Sequence, residues 1–220
     1  MMLGTRCLDS RALDGPAVTS ALSALGLDRV VLGASDGLTP DGLQAVPAVA
    51  VRSSWTDRRL GIAAALACGA SLVALEPPEE LDLDATCCAV YELHRSSPGL
   101  SVALLTPAAG ALADPESFGL ALEDLTSLGT GWWHVPSRTH LAGVDDVAWF
   151  ERVGSRLMGL SLDDVMAGAG GLPPGLGELD LPRLAELTGR SVEATLDPDP
   201  VPDPALLKSA VNSLTAAGFS

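Results

Sequence analysis

The chain has 220 residues, of which 47% are hydrophobic and 19% charged, so it can bury a sizeable core and is not composed like a disordered segment. Its formal net charge of −15 repels phosphate backbones and anionic lipid headgroups. Nucleic acid and membrane surfaces are therefore not expected partners, and the oligomeric state stays open.

The N-terminus MMLGTRCLDS has no basic segment followed by a continuous apolar stretch, so no signal peptide is predicted. The longest uncharged run, residues 60–75, is shorter than the ~20 residues that span a bilayer. The four cysteines form no CxxC pair, which argues against a zinc module or a disulfide framework. These features favour a cytoplasmic protein, and the preference for Arg over Lys, with abundant Ala, Gly, Leu and Pro, favours a bacterial source.

Short apolar runs alternate with helical patterns along the whole chain. The predicted strands are Thr5–Asp9, Arg29–Gly33, Ala48–Ser53, Ser71–Glu76, Ser101–Thr106, Gly131–Pro136, Arg156–Ser161 and Ser191–Leu196. The predicted helices are Gly15–Leu25, Pro40–Val46, Asp57–Gly69, Asp84–Ser96, Pro115–Leu128, Asp145–Val153, Leu181–Leu187 and Pro204–Ala217. Thr39 and Asp114 are predicted N-caps before proline, and Gly26, Gly69 and Gly189 are predicted left-handed C-caps.

The eight strands do not alternate strictly between apolar and polar residues, which is typical of parallel strands buried on both faces. With a helix after each strand, the pattern predicts the α/β class and a single (β/α)₈ TIM barrel over residues 1–220. An open doubly wound sheet would usually carry a Gly-rich phosphate loop after its first strand, and residues 7–11 offer none.

Barrels of this kind build their active sites at the C-terminal ends of the strands. Glu76 and Glu193 are predicted there, where two carboxylates can act as general acid and base or bind a divalent metal. His134 and His140 lie close in sequence to Trp132, Trp133 and Arg138 and predict a pocket wall. The alternative is that the tryptophans fill the packing between helices and barrel and the histidines cap a surface loop. The other polar residues predicted at strand ends are Asp9, Ser10, Ser35, Asp36, Arg52, Ser53, Ser54, Thr106, Ser137, Ser161, Asp163, Asp164 and Asp197.

The C-terminal third carries a more specific pattern. The segment His140–Gly143, the loop Pro173–Asp180 with the sequence PPGLGELD, and Ser191–Glu193 occur in an order that resembles the xylose isomerase-like sugar phosphate isomerase/epimerase family. The motif match covers about residues 131–195. The resemblance implies a TIM barrel whose strand ends bind a divalent metal through two Glu, one Asp and one His, and a small-molecule sugar ligand.

This sequence departs from that ligand set. The expected Glu of strand five falls in residues 103–107, which contain no acid, and the expected Asp-x-x-His after strand six falls on Val135–Arg138. The expected His of strand seven falls near Met158 or Gly159, its Asp could be matched by Asp163 or Asp164, and Glu193 matches the last Glu. One or two acids hold a divalent ion weakly. We therefore predict no cofactor and no tightly bound metal, which leaves a weak divalent site open.

Two functional hypotheses follow. The first is an isomerase/epimerase-like barrel that acts on or binds a small sugar-like or hydroxy-carbonyl ligand. Its predicted acid and base groups are Glu193, Glu76 and His134, and its predicted ligand-binding residues are Arg138, His140, Asp163 and Trp133. Arg138 stands where the family has a ligating His, so it predicts an anionic ligand. The second hypothesis is a catalytically inactive barrel that binds a ligand or a partner protein. A zinc phosphodiesterase of the DNA-repair branch is disfavoured by three histidines and the negative charge.

Overall fold

The computed structural model describes residues 2–6, 23–25, 27, 29–33, 48–77, 79, 83–189, 192–198 and 204–219. Its strands are β1 (Met2–Arg6), β2 (Arg29–Gly33), β3 (Ala48–Ser54), β4 (Leu72–Glu76), β5 (Ser101–Leu105), β6 (Gly131–His134), β7 (Leu157–Leu162), β8 (Asp164–Met166), β9 (Ala169–Leu172) and β10 (Glu193–Leu196). Within these residues, β1 to β7 and β10 pair in parallel in sequence order, and β10 pairs with β1 to close the barrel. The predicted (β/α)₈ barrel is confirmed.

The described helices are α1 (Arg58–Cys68), α2 (Leu83–Ser96), α3 (Pro115–Asp124), α4 (Pro136–Leu141), α5 (Asp146–Val153), α6 (Leu181–Thr188) and α7 (Pro204–Ala217). All except α4 correspond to predicted helices. As predicted, the Asp114 carboxylate caps α3 by accepting from two backbone N–H groups, and Gly69 and Gly189 end α1 and α6 with φ of 72° and 54°. The helix Pro40–Val46, Thr39 and Gly26 lie outside the described residues, as do Asp9, Ser10, Ser35 and Asp36, and of Gly15–Leu25 only residues 23–25 are described, as helix.

Two layers of buried residues show which way each strand residue faces. The inner layer consists of strand residues and Val135, so it fills the barrel: Val31, Ala50, Leu72, Ala74, Ala103, Leu105, Trp133 and Val135. The outer layer combines the alternate strand residues, among them Val51, Val73, Leu104 and Trp132, with helix residues such as Phe118 and Trp149. Because successive side chains of a strand point to opposite faces, this assignment extends to polar residues at the strand ends.

A short antiparallel hairpin, β8 paired with β9, follows β7 and was not predicted. The loop after it contains the PPGLGELD sequence, and it is folded onto the buried carboxylate of Asp164, which accepts hydrogen bonds from the backbone N–H groups of Val165, Gly175, Gly177 and Leu179 at 2.9–3.0 Å. A side chain at Gly177 would place its Cβ 2.2 Å from the Val165 carbonyl oxygen. The motif that carries the family resemblance is therefore a structural element of this loop.

No helix among the described residues is long and apolar enough to cross a membrane.

Candidate functional site

Charged side chains meet at the C-terminal ends of the barrel strands. Arg52 lies two residues after Ala50 on β3, and Glu76 lies two residues after Ala74 on β4, so both follow inner-layer positions. Asp197 directly follows β10, and Arg138 lies in the short helix that follows β6. We call Arg52, Glu76, Arg138 and Asp197 the mouth network.

The mouth network is a continuous chain of ion pairs. Arg138 Nη2 donates to Glu76 Oε1 at 2.5 Å, and Glu76 Oε2 lies 3.6 Å from Arg52 Nη2. Arg52 Nη1 donates to Asp197 Oδ2, and Arg138 Nη1 donates to the carbonyl oxygen of Thr106 at 2.9 Å. Two guanidinium and two carboxylate charges thus balance. The Glu76 side chain is 39% exposed and that of Asp197 8%, so Glu76 is the carboxylate more accessible to a ligand.

Asp163 adjoins this network. It directly follows β7, where Gly159 and Ser161 alternate with the outer-layer residues Leu160 and Leu162, so it continues the inward-facing positions. Burial raises the pKa of its carboxyl above the ordinary value and the charge of Asp197 adds to this, against the lowering effect of hydrogen bonds from Ser137 and the Gly171 N–H. This carboxyl therefore retains its proton to a higher pH than an exposed aspartate.

Trp133 forms the floor below these groups. Its indole lies inside the barrel and donates from Nε1 to Ser161 Oγ at 3.0 Å. The ring lies against β7 at Gly159, where a Cβ would come within 2.5 Å of it. Because Trp133 is 1% exposed, its contribution is to close the barrel beneath the mouth. The prediction that it binds a ligand remains a prediction.

His134 lies on the other face of β6. It belongs with Trp132 rather than Trp133: its ring is 4.5 Å from that of Trp132 and 5.4 Å from that of Phe150, and it is fully buried. The structure therefore does not bring His134 to the mouth, and its expected place in a pocket wall is corrected. The physical reason is the alternation of side chains along a strand, which turns His134 outward whenever Trp133 points inward.

The hydrogen bonds of His134 define its protonation. Thr106 Oγ1 accepts from Trp132 Nε1 at 3.0 Å and from the Val135 N–H at 3.2 Å, so its single proton is free to go to His134 Nδ1, 3.2 Å away. Nδ1 is then an acceptor, and Nε2–H donates to Asp146 Oδ1 at 3.0 Å. Burial lowers the pKa of His134 below its ordinary value, although its contacts with Asp146 raise it. The arrangement holds a neutral imidazole.

The stability of the fold should decrease as the pH falls below the ordinary histidine pKa of about 6.5, because the unfolded chain then binds a proton that native His134 does not. One such group contributes at most about 1.4 kcal/mol per pH unit. We expect the free energy of unfolding, measured with urea between pH 7.5 and 5.5, to fall by about 1 kcal/mol more in the wild type than in His134→Gln. Equal slopes in the two proteins would show that His134 does not titrate in this way.

His140 lies at a different cavity from the mouth. Its side chain is 42% exposed, and its Nε2 lies 3.8 Å from Glu178 Oε2. It lines a cavity of about 260 Å³ with Asp146, Leu184 and Leu187, between α4 and α6. The structure therefore places His140 at this cavity and Arg138 at the mouth and does not bring the two residues together, because residues two apart in a helix do not share a face.

Glu193 is the first residue of β10, whereas the sequence placed it toward the strand end that carries the active site. It pairs in register with Met2 and Gly159, so its backbone lies about 13 Å along the strand from residue 197 at ~3.3 Å per residue. The carboxylate found at the mouth end of this strand is Asp197. The sequence predicted Asp197 and Arg52 at strand ends with many other polar residues. Nothing in the local sequence of either residue marked it as part of a site.

The described residues at the mouth differ from the metal-ligand set that the family resemblance implies. Thr106 and Ser161, not acids, stand at the ends of β5 and β7. His134 points away from the mouth, and the guanidinium groups of Arg52 and Arg138 lie among the carboxylates there. Among the described residues, no three His, Cys, Asp or Glu side chains are grouped so that they could hold a metal ion. A guanidinium cannot ligate a cation and repels it.

No protein-family model matches the sequence, and no curated protein matches it. Solved structures match over almost the full chain. A xylose isomerase domain-containing protein from Salmonella typhimurium has a TM-score of 0.76 at 12% identity, covering 99% of this chain and 97% of that one. A probable 3-DHS dehydratase involved in petrobactin synthesis in Bacillus anthracis has a TM-score of 0.76 at 12% identity, covering 98% and 99%. An L-ribulose 3-epimerase has a TM-score of 0.76 at 11% identity, covering 99% and 96%.

These similarities establish the fold, which is that of the xylose isomerase-like TIM barrels. They agree with the family resemblance of the C-terminal third. At such low sequence identity the shared fold does not identify the reaction, which depends on the residues at the mouth.

Proposed function

We propose that this barrel binds a small hydroxy-carbonyl ligand with an anionic group at its mouth and moves a proton on that ligand, as a sugar isomerase or epimerase does. The observation that carries the proposal is the position of Glu76 between Arg52 and Arg138 at the C-terminal ends of the strands. Two proteins of similar fold are an L-ribulose 3-epimerase and a probable 3-DHS dehydratase, which supports a reaction on a small oxygenated substrate.

The two arginines supply the anion-binding part of the proposal. A guanidinium binds carboxylate and phosphate through paired N–H donors, and Glu76 is already bound by both guanidiniums in the way that a ligand anion would be. Ion pairs to a side chain as exposed as Glu76 contribute little to stability, about 0–1 kcal/mol. A ligand anion can therefore replace Glu76 on one or both arginines, while the buried Asp197 stays paired with Arg52.

Glu76 and Asp163 supply the proton-transfer part. Once a ligand anion has displaced it, Glu76 is a carboxylate beside the bound ligand and can take a proton from the carbon next to the carbonyl. Asp163, whose pKa is raised by burial, can give a proton to the other side. The guanidiniums stabilise the negative charge that develops on the carbonyl oxygen, a role that needs no metal. A positioned acid or base contributes about 10²- to 10⁴-fold to the rate.

Solvent exchange tests this proposal. The protein is incubated in D₂O with D-fructose 6-phosphate, D-glucose 6-phosphate or D-ribulose 5-phosphate, and loss of the C–H signal next to the carbonyl is followed by NMR. We expect exchange on at least one compound, at least about 10² times faster than with Glu76→Gln. The control Glu123→Gln, on the exposed surface of α3 where Glu123 pairs with Arg152, should keep the wild-type rate.

Two other outcomes have different meanings. Binding of these compounds without exchange would reject the proton transfer and support a ligand-binding barrel without catalysis. If the protein neither bound these compounds nor catalysed exchange on them, the proposal as a whole would be overturned.

A further inference from the structure

A cavity lined by arginines lies between α1 and α2, and the mouth network contributes no residue to it. Its volume is about 710 Å³, and sites for small molecules commonly have volumes of about 300–1,000 Å³. Arg58 and Arg59 of α1 and Arg95 of α2 line it, together with Ile62 and Leu93, which belong to the outer layer of the core. We call this cavity the α1–α2 groove.

The three guanidinium groups of the groove have no carboxylate partner. Glu92 is the one acidic side chain among the described residues that line the groove. Within the part of the chain that the structure describes, Arg58, Arg59 and Arg95 form no ion pair. The groove is therefore locally positive, although the net charge of the chain is −15. The described arginines that do pair with Asp or Glu are Arg52, Arg138, Arg152 and Arg183.

Arg58 is already held in position. Its Nη1 donates to the carbonyl oxygen of Trp55 at 2.9 Å, and its guanidinium carbon lies 5.6 Å from the centre of the Trp55 ring. A guanidinium has five N–H donors, so the bond to Trp55 leaves four of them for other partners. Because the side chain is fixed in advance, binding a ligand to it costs less conformational entropy than ordering a free side chain.

A buried hydroxyl without a partner also lines the groove. Ser97 is 9% exposed, and its backbone N–H donates to the Leu93 carbonyl oxygen at 3.0 Å. Its Oγ forms no hydrogen bond within the described part of the chain, whereas Ser96 Oγ donates to the same carbonyl oxygen at 2.9 Å. Buried polar groups in native proteins normally have a partner. The Ser97 hydroxyl is therefore a donor for a group that enters the groove.

The charge of the chain decides the size of the anion that the groove can bind. Nucleic acid or an anionic membrane would meet the repulsive field of the whole acidic surface. A small anion inside the groove interacts mainly with charges within about one Debye length, about 8 Å at physiological ionic strength. For such an anion, the three nearby guanidinium groups outweigh the distant carboxylates.

We infer that the α1–α2 groove binds a small molecule that carries two or more phosphate or carboxylate groups. Guanidinium groups bind both kinds of anion through charge-assisted hydrogen bonds, and a ligand with one anionic group would leave part of the three guanidiniums without a partner. This site is separate from the proposed reaction, because the groove and the mouth network share no residue.

Titration of the ¹⁵N-labelled full-length protein tests the inference. Pyrophosphate and citrate are compared with phosphate and acetate at constant ionic strength, with the backbone amides of residues 95–97 as reporters of the groove and that of Arg138 as reporter of the mouth. We expect pyrophosphate or citrate to bind at the groove at least about tenfold more tightly than phosphate or acetate. Arg59→Ala combined with Arg95→Ala should weaken this binding about tenfold, since each exposed ion pair contributes a few-fold.

Further variants separate the groove from the mouth and from misfolding. Arg138→Ala removes a charge from the mouth, and Arg183→Ala removes an exposed guanidinium of α6; both should keep the groove affinity within about twofold. Ser97→Ala should weaken it about threefold through the lost hydroxyl. Glu92→Gln removes the carboxylate that lines the groove and should strengthen binding about two- to threefold, a gain that a misfolded protein would not show.

The titrations overturn the inference in any of three ways. The first is equal affinity at the groove for probes with one and with several anionic groups, which would show non-specific attraction only. The second is wild-type affinity in the variant that lacks the Arg59 and Arg95 side chains. The third is a spectrum in which no probe changes the groove amides; if the mouth amide still responds, the proposed function stands without this second site.

Discussion

Arg138→Ala is expected to weaken the binding of D-fructose 6-phosphate or D-gluconate at least about 30-fold, because the variant loses the positive charge and the Nη2 donor that now pairs with Glu76. Hydrogen bonds to charged groups contribute about 1.5–3 kcal/mol, and 2 kcal/mol corresponds to about 30-fold in affinity. Arg138→Lys should recover only part of the loss, since an ammonium keeps the charge but not the paired donors. Arg156→Ala is the matched control, because Arg156 precedes β7 at the opposite end of the barrel.

The opposite effect is expected at Glu76. In the structure Glu76 occupies the guanidinium donors that the ligand would use, so Glu76→Gln should bind the anionic probes up to about tenfold more tightly than the wild type, although it no longer moves a proton. A residue that only supported the fold would not increase affinity when it is removed.

For the Arg138 prediction, equal affinity of the wild type and Arg138→Ala for these probes would contradict the assignment of the anion site.

Asp164→Ala is expected to lower the free energy of unfolding by about 3 kcal/mol or more. The carboxylate is fully buried and accepts four backbone N–H groups from residue 165 and from the loop after β9, and each buried donor left without an acceptor costs about 1–3 kcal/mol. Not all four will lose their partners completely, since part of the loop can reach water. Urea unfolding monitored by circular dichroism measures the loss.

A neighbouring aspartate provides a graded control for this prediction. Asp180 caps α6 through a single hydrogen bond from the Arg183 N–H, so Asp180→Ala should lower the free energy of unfolding by only about 1 kcal/mol. If Asp164→Ala were no more destabilised than Asp180→Ala, the loop would not depend on the buried carboxylate, and the structural role of the PPGLGELD sequence would have to lie elsewhere.

The barrel itself could be predicted from the sequence because its strands are continuous apolar runs bounded by Gly, Pro and polar residues. The predicted Ala48–Ser53 and Ser101–Thr106 agree with β3 and β5 to within one residue. The hairpin of β8 and β9 could not be predicted, because its sequence is rich in Gly and Ala and lacks β-branched residues apart from Val165. Its position depends on the two carboxylates Asp163 and Asp164.

The mouth was less predictable than the barrel. The sequence placed Glu76, Arg138 and Asp163 at strand ends but could not decide between Trp132 and Trp133 as the inward residue, and that choice also decides which way His134 points. Asp197 and Arg52 are 145 residues apart in the chain, so no local pattern relates them. For Glu193, the prediction followed the family resemblance, in which the strand ends in Glu, whereas in the structure β10 begins at this residue.

Proton transfer at the mouth could depend on arginines and carboxylates alone or on a divalent metal ion. The metal dependence of solvent exchange distinguishes these two mechanisms. The wild type, dialysed against EDTA, is assayed for exchange on the compound it processes fastest, and Mn²⁺ or Mg²⁺ is then added. We expect the dialysed protein to keep its rate and the added metal to change it less than about twofold. Loss of exchange after EDTA, restored at least about tenfold by Mn²⁺ or Mg²⁺, would contradict proton transfer by the arginine and carboxylate groups alone.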